Sequence, residues 1–134
     1  MSTNAQIIGD AMELLGILTE GAVPSAEQAD HGLRRLNQMM ATWDTDGIVL
    51  GYFQQSDATA SCPIPDWAEK GVMGYLALDI APHYGRTVSP EALKVSLDGY
   101  ELILRRLISQ GMDGADLSHL GSGNARYNIL TDSF

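Results

Sequence analysis

The chain has 134 residues and a formal charge of −9, with 45% hydrophobic and 19% charged residues. These values predict one globular domain with a core of its own, because disordered chains are poorer in hydrophobic residues. They argue against tight binding to nucleic acid, which needs clustered basic side chains to neutralise phosphates.

Two amphipathic helices are predicted in the first third of the chain. The first is capped by Thr3 or Asn4 and runs to about Thr19, because apolar residues recur there at steps of three and four. The second opens on Ser25, the first residue of a capping box, and ends near Thr45. Its apolar stripe consists of Ala29, Leu33, Leu36, Met40 and Trp43.

A small β-hairpin is predicted between the second and third helices, at about residues 48–62. Gly47 is expected to end the second helix in the left-handed conformation, which glycine adopts at little cost. The run Ile48 to Phe53 favours a strand by residue type, and a return strand is expected around Ala58 to Cys62. Such a hairpin needs helices behind it, since an isolated one is marginal in water.

Two further helices complete a predicted four-helix bundle. Pro82 ends or kinks the third helix. The apolar stripe of this helix is Trp67, Val72, Leu76 and Ile80. Gly71, Gly74 and Ala77 lie on or beside that stripe, so another helix could approach closely there. The fourth opens on Ser89, which precedes a proline at the first helical position, and continues to about Ser109. Its apolar stripe is predicted to be Leu93, Leu97, Tyr100, Leu104 and Leu107.

The predicted fold is therefore mainly α, with a helical domain at residues 1–111 and a flexible, extended C-terminal arm at residues 112–134. The arm has no periodicity and holds glycines among small polar residues. Its last apolar side chains would be wasted in solvent, which suggests that they dock onto a partner. These are Tyr127, Ile129, Leu130 and Phe134.

Candidate catalytic and metal-binding groups are few. Asp113, Asp116 and His119 have a spacing that could hold a metal, but they lie in the arm, without the rigid surroundings that ligands need. Glu13, Glu20 and Glu69 are conceivable acids of a glycosidase, the first two of a cell-wall-cleaving enzyme, and such an acid would require an apolar pocket to raise its carboxyl pKa. We predict that the chain is not an enzyme and uses no metal or cofactor.

The cysteine content and the length of the apolar runs predict where the protein is made. Cys62 is the single cysteine, so no intramolecular disulfide can form, and a reducing compartment is the simplest setting. No run approaches the roughly 18 apolar residues of a membrane span. We therefore expect a protein made in the cytoplasm that does not contact a membrane.

The chain has two basic doublets, Arg34-Arg35 and Arg105-Arg106. At a helix C-terminus, the second doublet would complement the helix dipole. Alternatively, both doublets meet acidic surface on an adjacent copy. An acidic chain with two small basic areas could close a ring through such heterologous contacts.

The longest motif joins the second helix to the predicted hairpin: Leu36-x-x-Met39-Met40-x-x-Trp43-x-x-Asp46-Gly47-Ile48-x-x-Gly51-Tyr52. It is followed by Leu76-Ala77-x-x-Ile80-Ala81-Pro82-x-Tyr84, by Tyr100 and by Gly121-Ser122-Gly123-Asn124. In this order, from about Gln6 to Asn124, the motifs resemble the head-to-tail adaptor proteins of tailed phages. The most similar group is the tail accessory factor (packaged-DNA stabilisation) family of short-tailed phages.

The resemblance implies a virion protein at the head–tail junction. In that family, copies form a dodecameric ring beneath the portal protein after DNA packaging. The ring lengthens the exit channel, lets DNA pass without sequence-specific binding, and presents a surface to the next tail component. The C-terminal arm would lie along the portal.

We expect contacts with neighbouring subunits or the tail at the hairpin and the basic doublets, namely at Ile48, Leu50, Tyr52, Arg34, Arg35, Arg105 and Arg106. Three alternatives stay open. They are an adaptor of a long-tailed phage connector, a cell-wall-cleaving virion enzyme, and a DNA-binding regulator built on the second and third helices.

Overall fold

The computed structural model describes residues 1–114, and the side chains up to Gly111. Met1–Leu104 forms one compact unit, and the chain from Arg105 onward is a separate unit, of which a helical segment is described. The four helices of the described residues are α1 (Asn4–Leu14), α2 (Ala26–Thr45), α3 (Glu69–Ile80) and α4 (Pro90–Gly114). Short 3-10 segments, Asp66–Ala68 and Ala81–Tyr84, flank α3.

Local capping determines where α1 begins and ends. The Thr3 hydroxyl accepts from the Gln6 N–H at 3.2 Å, and the Gln6 side chain accepts from the Thr3 N–H at 2.8 Å. The helix ends at Leu14, so the predicted end near Thr19 is wrong. Gly16 adopts a φ of 75° and breaks the helix, although the apolar periodicity continues beyond it.

The predicted boundaries of α2 are confirmed. Ser25 and Gln28 form the reciprocal capping box, with bonds of 3.2 and 2.9 Å. At the other end Gly47 has a φ of 92°. The Ile48 N–H donates to the Trp43 carbonyl at 2.9 Å, which is the hydrogen bond of a glycine-terminated helix.

The core of the Met1–Leu104 unit lies where α1, α2 and α3 pack against one another. A Cβ atom placed on Gly32 of α2 would lie 2.5 Å from Cγ2 of Ile8, so these two helices approach closely. None of the described helices combines the length and apolar character that crossing a bilayer requires. Large, fully buried side chains include Ile7, Ile8, Met12, Leu36, Ile64, Leu76 and Ile80.

The packing of α4 on α3 uses small residues. A Cβ atom on Gly99 would lie 2.6 Å from the Gly71 nitrogen, and one on Gly74 would lie 2.7 Å from the Ser96 Cα. The buried Ser96 hydroxyl donates to the Ala92 carbonyl at 2.8 Å, within its own helix. The close approach expected at Gly71 and Gly74 is confirmed.

The apolar stripe predicted for α4 is only partly its buried face. Leu93 and Leu97 are 43% and 47% exposed, whereas Ala92, Ser96 and Ile103 are buried. The glycines of α3 let α4 approach closely at Ser96 and Gly99 and leave room for Ile103 at Gly71, so the helix turns this face inward and its first leucines outward. α4 also continues to Gly114, past the predicted end near Ser109.

The predicted hairpin at residues 48–62 is wrong. The described residues contain no β-strand, and Thr3 and Ser61 form one isolated antiparallel bridge. The backbone groups that a hairpin would pair with each other have other partners. The carbonyls of Ala60 and Ala58 accept from the Asn4 and Ala5 N–H groups at 2.9 and 2.8 Å, so this segment closes the start of α1.

Candidate functional site

The residues of the longest motif form a connected structure around the end of α2. Leu36, Met40 and Trp43 are buried and fix this end of the helix in the core. Gly47 and Gly51 both have positive φ values, 92° and 86°, and give the following segment its two sharp turns. The motif therefore specifies a helix end together with the loop that leaves it.

Asn37 holds that loop against α2. Its Nδ2 donates to the Gln55 carbonyl and its Oδ1 accepts from the Gln55 N–H, both at 2.9 Å. The same Oδ1 accepts from the Tyr52 hydroxyl at 2.5 Å. One amide side chain thus replaces a neighbouring strand, because it offers the donor and the acceptor that a backbone would offer.

A second amide group continues this network below the loop. The buried Gln55 side chain donates through Nε2 to the Phe53 carbonyl at 2.9 Å and accepts through Oε1 from Asn4 Nδ2 at 3.0 Å. Asn4 Nδ2 also donates to the Asp57 carbonyl at 3.0 Å. Sequence reasoning missed both Asn37 and Gln55. The available signal for Asn37 was a polar residue that flanks the apolar stripe of α2.

The loop presents different side chains from those predicted. Ile48 and Leu50 are buried in the core, and Tyr52 is half-buried with its hydroxyl bonded to α2. Val49 and Phe53 point outward, with 59% and 66% of their surface exposed. A contact role for Ile48, Leu50 and Tyr52 stays a prediction. The apolar surface that the loop exposes comes from Val49 and Phe53.

We call Asp44, Asp46, Val49 and Phe53 together the α2-end surface. Asp44 and Phe53 line one open cavity of about 240 Å³. Asp44 and Asp46 are exposed, and the last turn of α2 contains no basic residue. Since a helix C-terminus already carries partial negative charge, this surface is both apolar and strongly negative.

The titratable groups beneath the loop are in their neutral forms. Burial, and to a smaller degree Cys62, raises the pKa of Tyr52 well above its usual value, so the phenol keeps the proton that it donates to Asn37. Burial, with a smaller effect of Glu69, raises the pKa of Cys62 to about 12. A thiol this buried and this weakly acidic is a packing group, because the thiolate is the reactive form.

The first basic doublet lies on α2. Arg34 is exposed, while Arg35 has its Nε 3.4 Å from Asp79 Oδ2 and donates through Nη2 to His83 Nε2. The 3.4 Å separation is an ion-pair contact, since that buried Nε makes no hydrogen bond. Burial, followed by His83 and the two arginines, lowers the pKa of the adjacent His31, which favours its neutral form.

The second doublet, Arg105 and Arg106, is exposed on the part of α4 that belongs to the second unit. The structure does not describe residues 115–134, so the predicted arm contacts lie outside the described residues. These contacts are Tyr127, Ile129, Leu130 and Phe134. Asp116 and His119 of the metal-type spacing lie there too, as does the side chain of Asp113.

The candidate catalytic carboxylates lie in open settings. Glu13 and Asp10 line a groove of about 320 Å³, and Glu20 is exposed. Burial, with a smaller effect of Glu69, raises the pKa of Asp10. Among the described residues, no group of three or more histidine, cysteine, aspartate or glutamate side chains could hold a metal ion.

No protein-family model and no curated protein matches the chain. The α2-end surface, which lies at the longest motif, is the best-defined candidate site in the described part of the chain.

Proposed function

We propose that this chain is a structural head-to-tail connector of a tailed phage. It binds the portal protein as a ring, in about twelve copies by the family resemblance, after DNA packaging. The ring extends the DNA channel and docks the next tail component, which places the protein at the head–tail junction of the virion. Both short-tailed and long-tailed phages are compatible with this role.

One observation carries the proposal: specified residues of the resembling motif fix the helix end and the turn from which the α2-end surface projects. Trp43 anchors the helix end, Gly47 turns the chain, and the Tyr52 hydroxyl bonds to α2. Together these contacts hold a pair of exposed apolar side chains on a rigid backbone. Such a surface suits contact with a protein, because a preorganised loop loses little conformational freedom on binding.

The charge of the chain supports the same role. A net charge of −9 repels nucleic acid at long range. A protein that surrounds a DNA channel benefits from this repulsion, since DNA must pass through without adhering. The same charge disfavours the alternative of a DNA-binding regulator.

Replacing Gly47 by valine should impair ring assembly on the portal. The φ of 92° forces a β-branched side chain into the left-handed region, at a loss of about 2 kcal/mol of folding free energy. The strain falls where the loop leaves α2, so Phe53 should also shift. Thermal unfolding and electron microscopy of portal mixtures measure the two effects. Gly47→Asn is the matched control, because asparagine tolerates this conformation; normal rings with valine would contradict the proposed role of the turn.

Removing the residues after Gly121 should abolish binding to the portal protein of the same phage. The deleted stretch contains the four apolar residues whose docking the sequence predicts. Co-sedimentation with purified portal and negative-stain imaging measure the outcome. A full-length chain with Tyr127, Ile129, Leu130 and Phe134 changed to serine separates side-chain contacts from chain length. Undiminished binding by the shortened chain would refute the role of the arm.

The competing hypothesis is a cell-wall-cleaving virion enzyme that uses Glu13 or Glu20. It is favoured only by the position of Glu13 beside Asp10 in the groove described above. Clearing of a cell-wall suspension by the purified chain, lost in Glu13→Gln or Glu20→Gln, would support the enzyme. Clearing that survives both changes would not.

A further inference from the structure

We propose that the contact between Arg35 and His83 is an acid-sensitive switch, which opens in mild acid and lets the turn at residues 83–86 move away from α2. The contact, here called the Arg35–His83 contact, is the hydrogen bond from Nη2 of Arg35 to Nε2 of His83. This inference goes beyond the proposed function and does not depend on it.

The Arg35–His83 contact requires a neutral histidine. An arginine guanidinium has five N–H donors and no acceptor, so Nε2 of His83 must be the ring nitrogen without a proton. Protonation of that nitrogen replaces the acceptor by a donor and places a second positive charge against the guanidinium. A protonated His83 therefore cannot keep this hydrogen bond.

A second histidine lies against the first. The ring centroid of His31 is 5.4 Å from that of His83 and 5.9 Å from that of Tyr84, and both pairs meet edge to face. Burial, followed by His83 and the two neighbouring arginines, lowers the pKa of His31, and Asp79 opposes this effect. A lowered histidine pKa means that the closed form binds fewer protons than an open one. The stabilisation is therefore complete above the ordinary histidine pKa of about 6.5, and it is lost as the pH falls through the lowered value.

The surroundings do not compensate for two charged histidines. The charged and titratable groups around the two rings are Glu27, Arg34 and Arg35 of α2, Asp79 of α3, and Tyr84. Asp79 is already engaged, because its Oδ2 lies 3.4 Å from Nε of Arg35. Glu27 lines an open cavity of about 520 Å³ beside the rings, where solvent screens its charge. Burial raises the pKa of Tyr84, so its phenol stays neutral. Mild acid thus adds two positive charges to a place that already holds two arginines.

The turn that carries His83 can move while the core stays packed. Ala81 is buried and anchors the start of the segment, whereas His83 is exposed. Gly85 has a φ of 65°, and its N–H bonds back to the Pro82 carbonyl at 3.2 Å, so the turn is closed by its own backbone. The side-chain contacts with α2 are therefore what holds the outer part of this turn in place.

Nuclear magnetic resonance of the full chain tests the switch. Nuclear Overhauser effects between the ring protons of His31 and Tyr84 report that the turn lies on α2. They should be at least about threefold weaker at about pH 5 than at about pH 7.5, across the range in which histidine titrates. Circular dichroism at both pH values should show an unchanged helix content.

Two substitutions at His83 separate its charge from its shape. His83→Gln keeps an acceptor for Arg35 and cannot be protonated, so the His31–Tyr84 signals should persist at both pH values. His83→Lys carries the charge permanently, so the signals should be weak at both. His119→Gln changes the third histidine of the chain and should titrate like wild type.

Several results would overturn the switch. They are signals that do not change with pH in the wild type, a His83→Gln variant that loses them as fully as the wild type, and a pKa of His31 measured at or above its ordinary value. Loss of helix content together with the signals would show that acid unfolds the whole unit, which would also refute a local opening.

Discussion

Replacing Gly99 by alanine should lower the free energy of unfolding by about 3 kcal/mol. The three heavy atoms nearest to the added Cβ would be backbone atoms of Gly71 and Lys70, at 2.6 to 2.9 Å. Backbone cannot rotate away as a side-chain end can, so α4 has to move off α3. That movement also disturbs an aromatic cluster. In this cluster the ring centroid of Tyr100 lies 4.5 Å from that of Tyr75, on which it stacks, and 5.4 Å from that of Trp43.

Gly111→Ala is the matched control on the same helix. No atom lies within 4 Å of a Cβ added there, so only helix propensity changes. That term favours alanine by up to about 1 kcal/mol, which makes the expected sign opposite to that at Gly99. Urea unfolding followed by circular dichroism measures both variants. Equal effects at the two glycines would show that the close approach of α3 and α4 does not limit stability.

Replacing Asn37 by alanine should destabilise the protein by about 3 kcal/mol, because three hydrogen bonds are lost together. The Gln55 N–H and carbonyl and the Tyr52 hydroxyl would lose the partner that holds the loop on α2. The loop should then open before the helices unfold. Hydrogen exchange at the Gln55 amide, compared with the free energy of global unfolding, measures this local opening.

Gln38→Ala provides the control for that experiment. Gln38 is exposed on the same helix, and its side chain accepts one exposed hydrogen bond from Arg35 at 3.1 Å. Its loss should change stability by less than about 0.5 kcal/mol. If Asn37→Ala lowers the free energy of unfolding by no more than this control, the loop is held by burial of Ile48 and Leu50 and not by the hydrogen bonds of Asn37.

The features that could be predicted from the sequence depend on neighbours along the chain. The cap at Ser25 and the stop at Gly47 agree with prediction, and of the two predicted caps of α1, Thr3 or Asn4, the structure has Thr3; each involves groups within about six residues. The early end of α1 was also local, and the sequence contained its signal in Gly16. There the left-handed glycine ends the helix although apolar residues continue at helical spacing beyond it.

The features that could not be predicted depend on residues far apart in the chain. Residue types at 48–53 favour a strand, but the hydrogen bonds of the loop come from Asn37 and from the start of α1. In α4, periodicity identifies leucines without showing which face packs, and the glycines of α3 decide that question. Val49 and Phe53 became candidate contact residues only once Ile48 and Leu50 were seen to be buried.

The two carbonyls that close the start of α1 have a consequence for how the protein opens. Because Ala58 and Ala60 accept the first helical N–H groups, releasing this part of the chain leaves those donors without partners. We therefore expect the loop and the first turn of α1 to exchange their amide protons as one cooperative unit, not as separate fluctuations. A partner that binds at Phe53 would slow amide hydrogen exchange at Asn4 and Ala5. The two places are linked by hydrogen bonds from the Phe53 carbonyl through the Gln55 side chain to the Asn4 side chain.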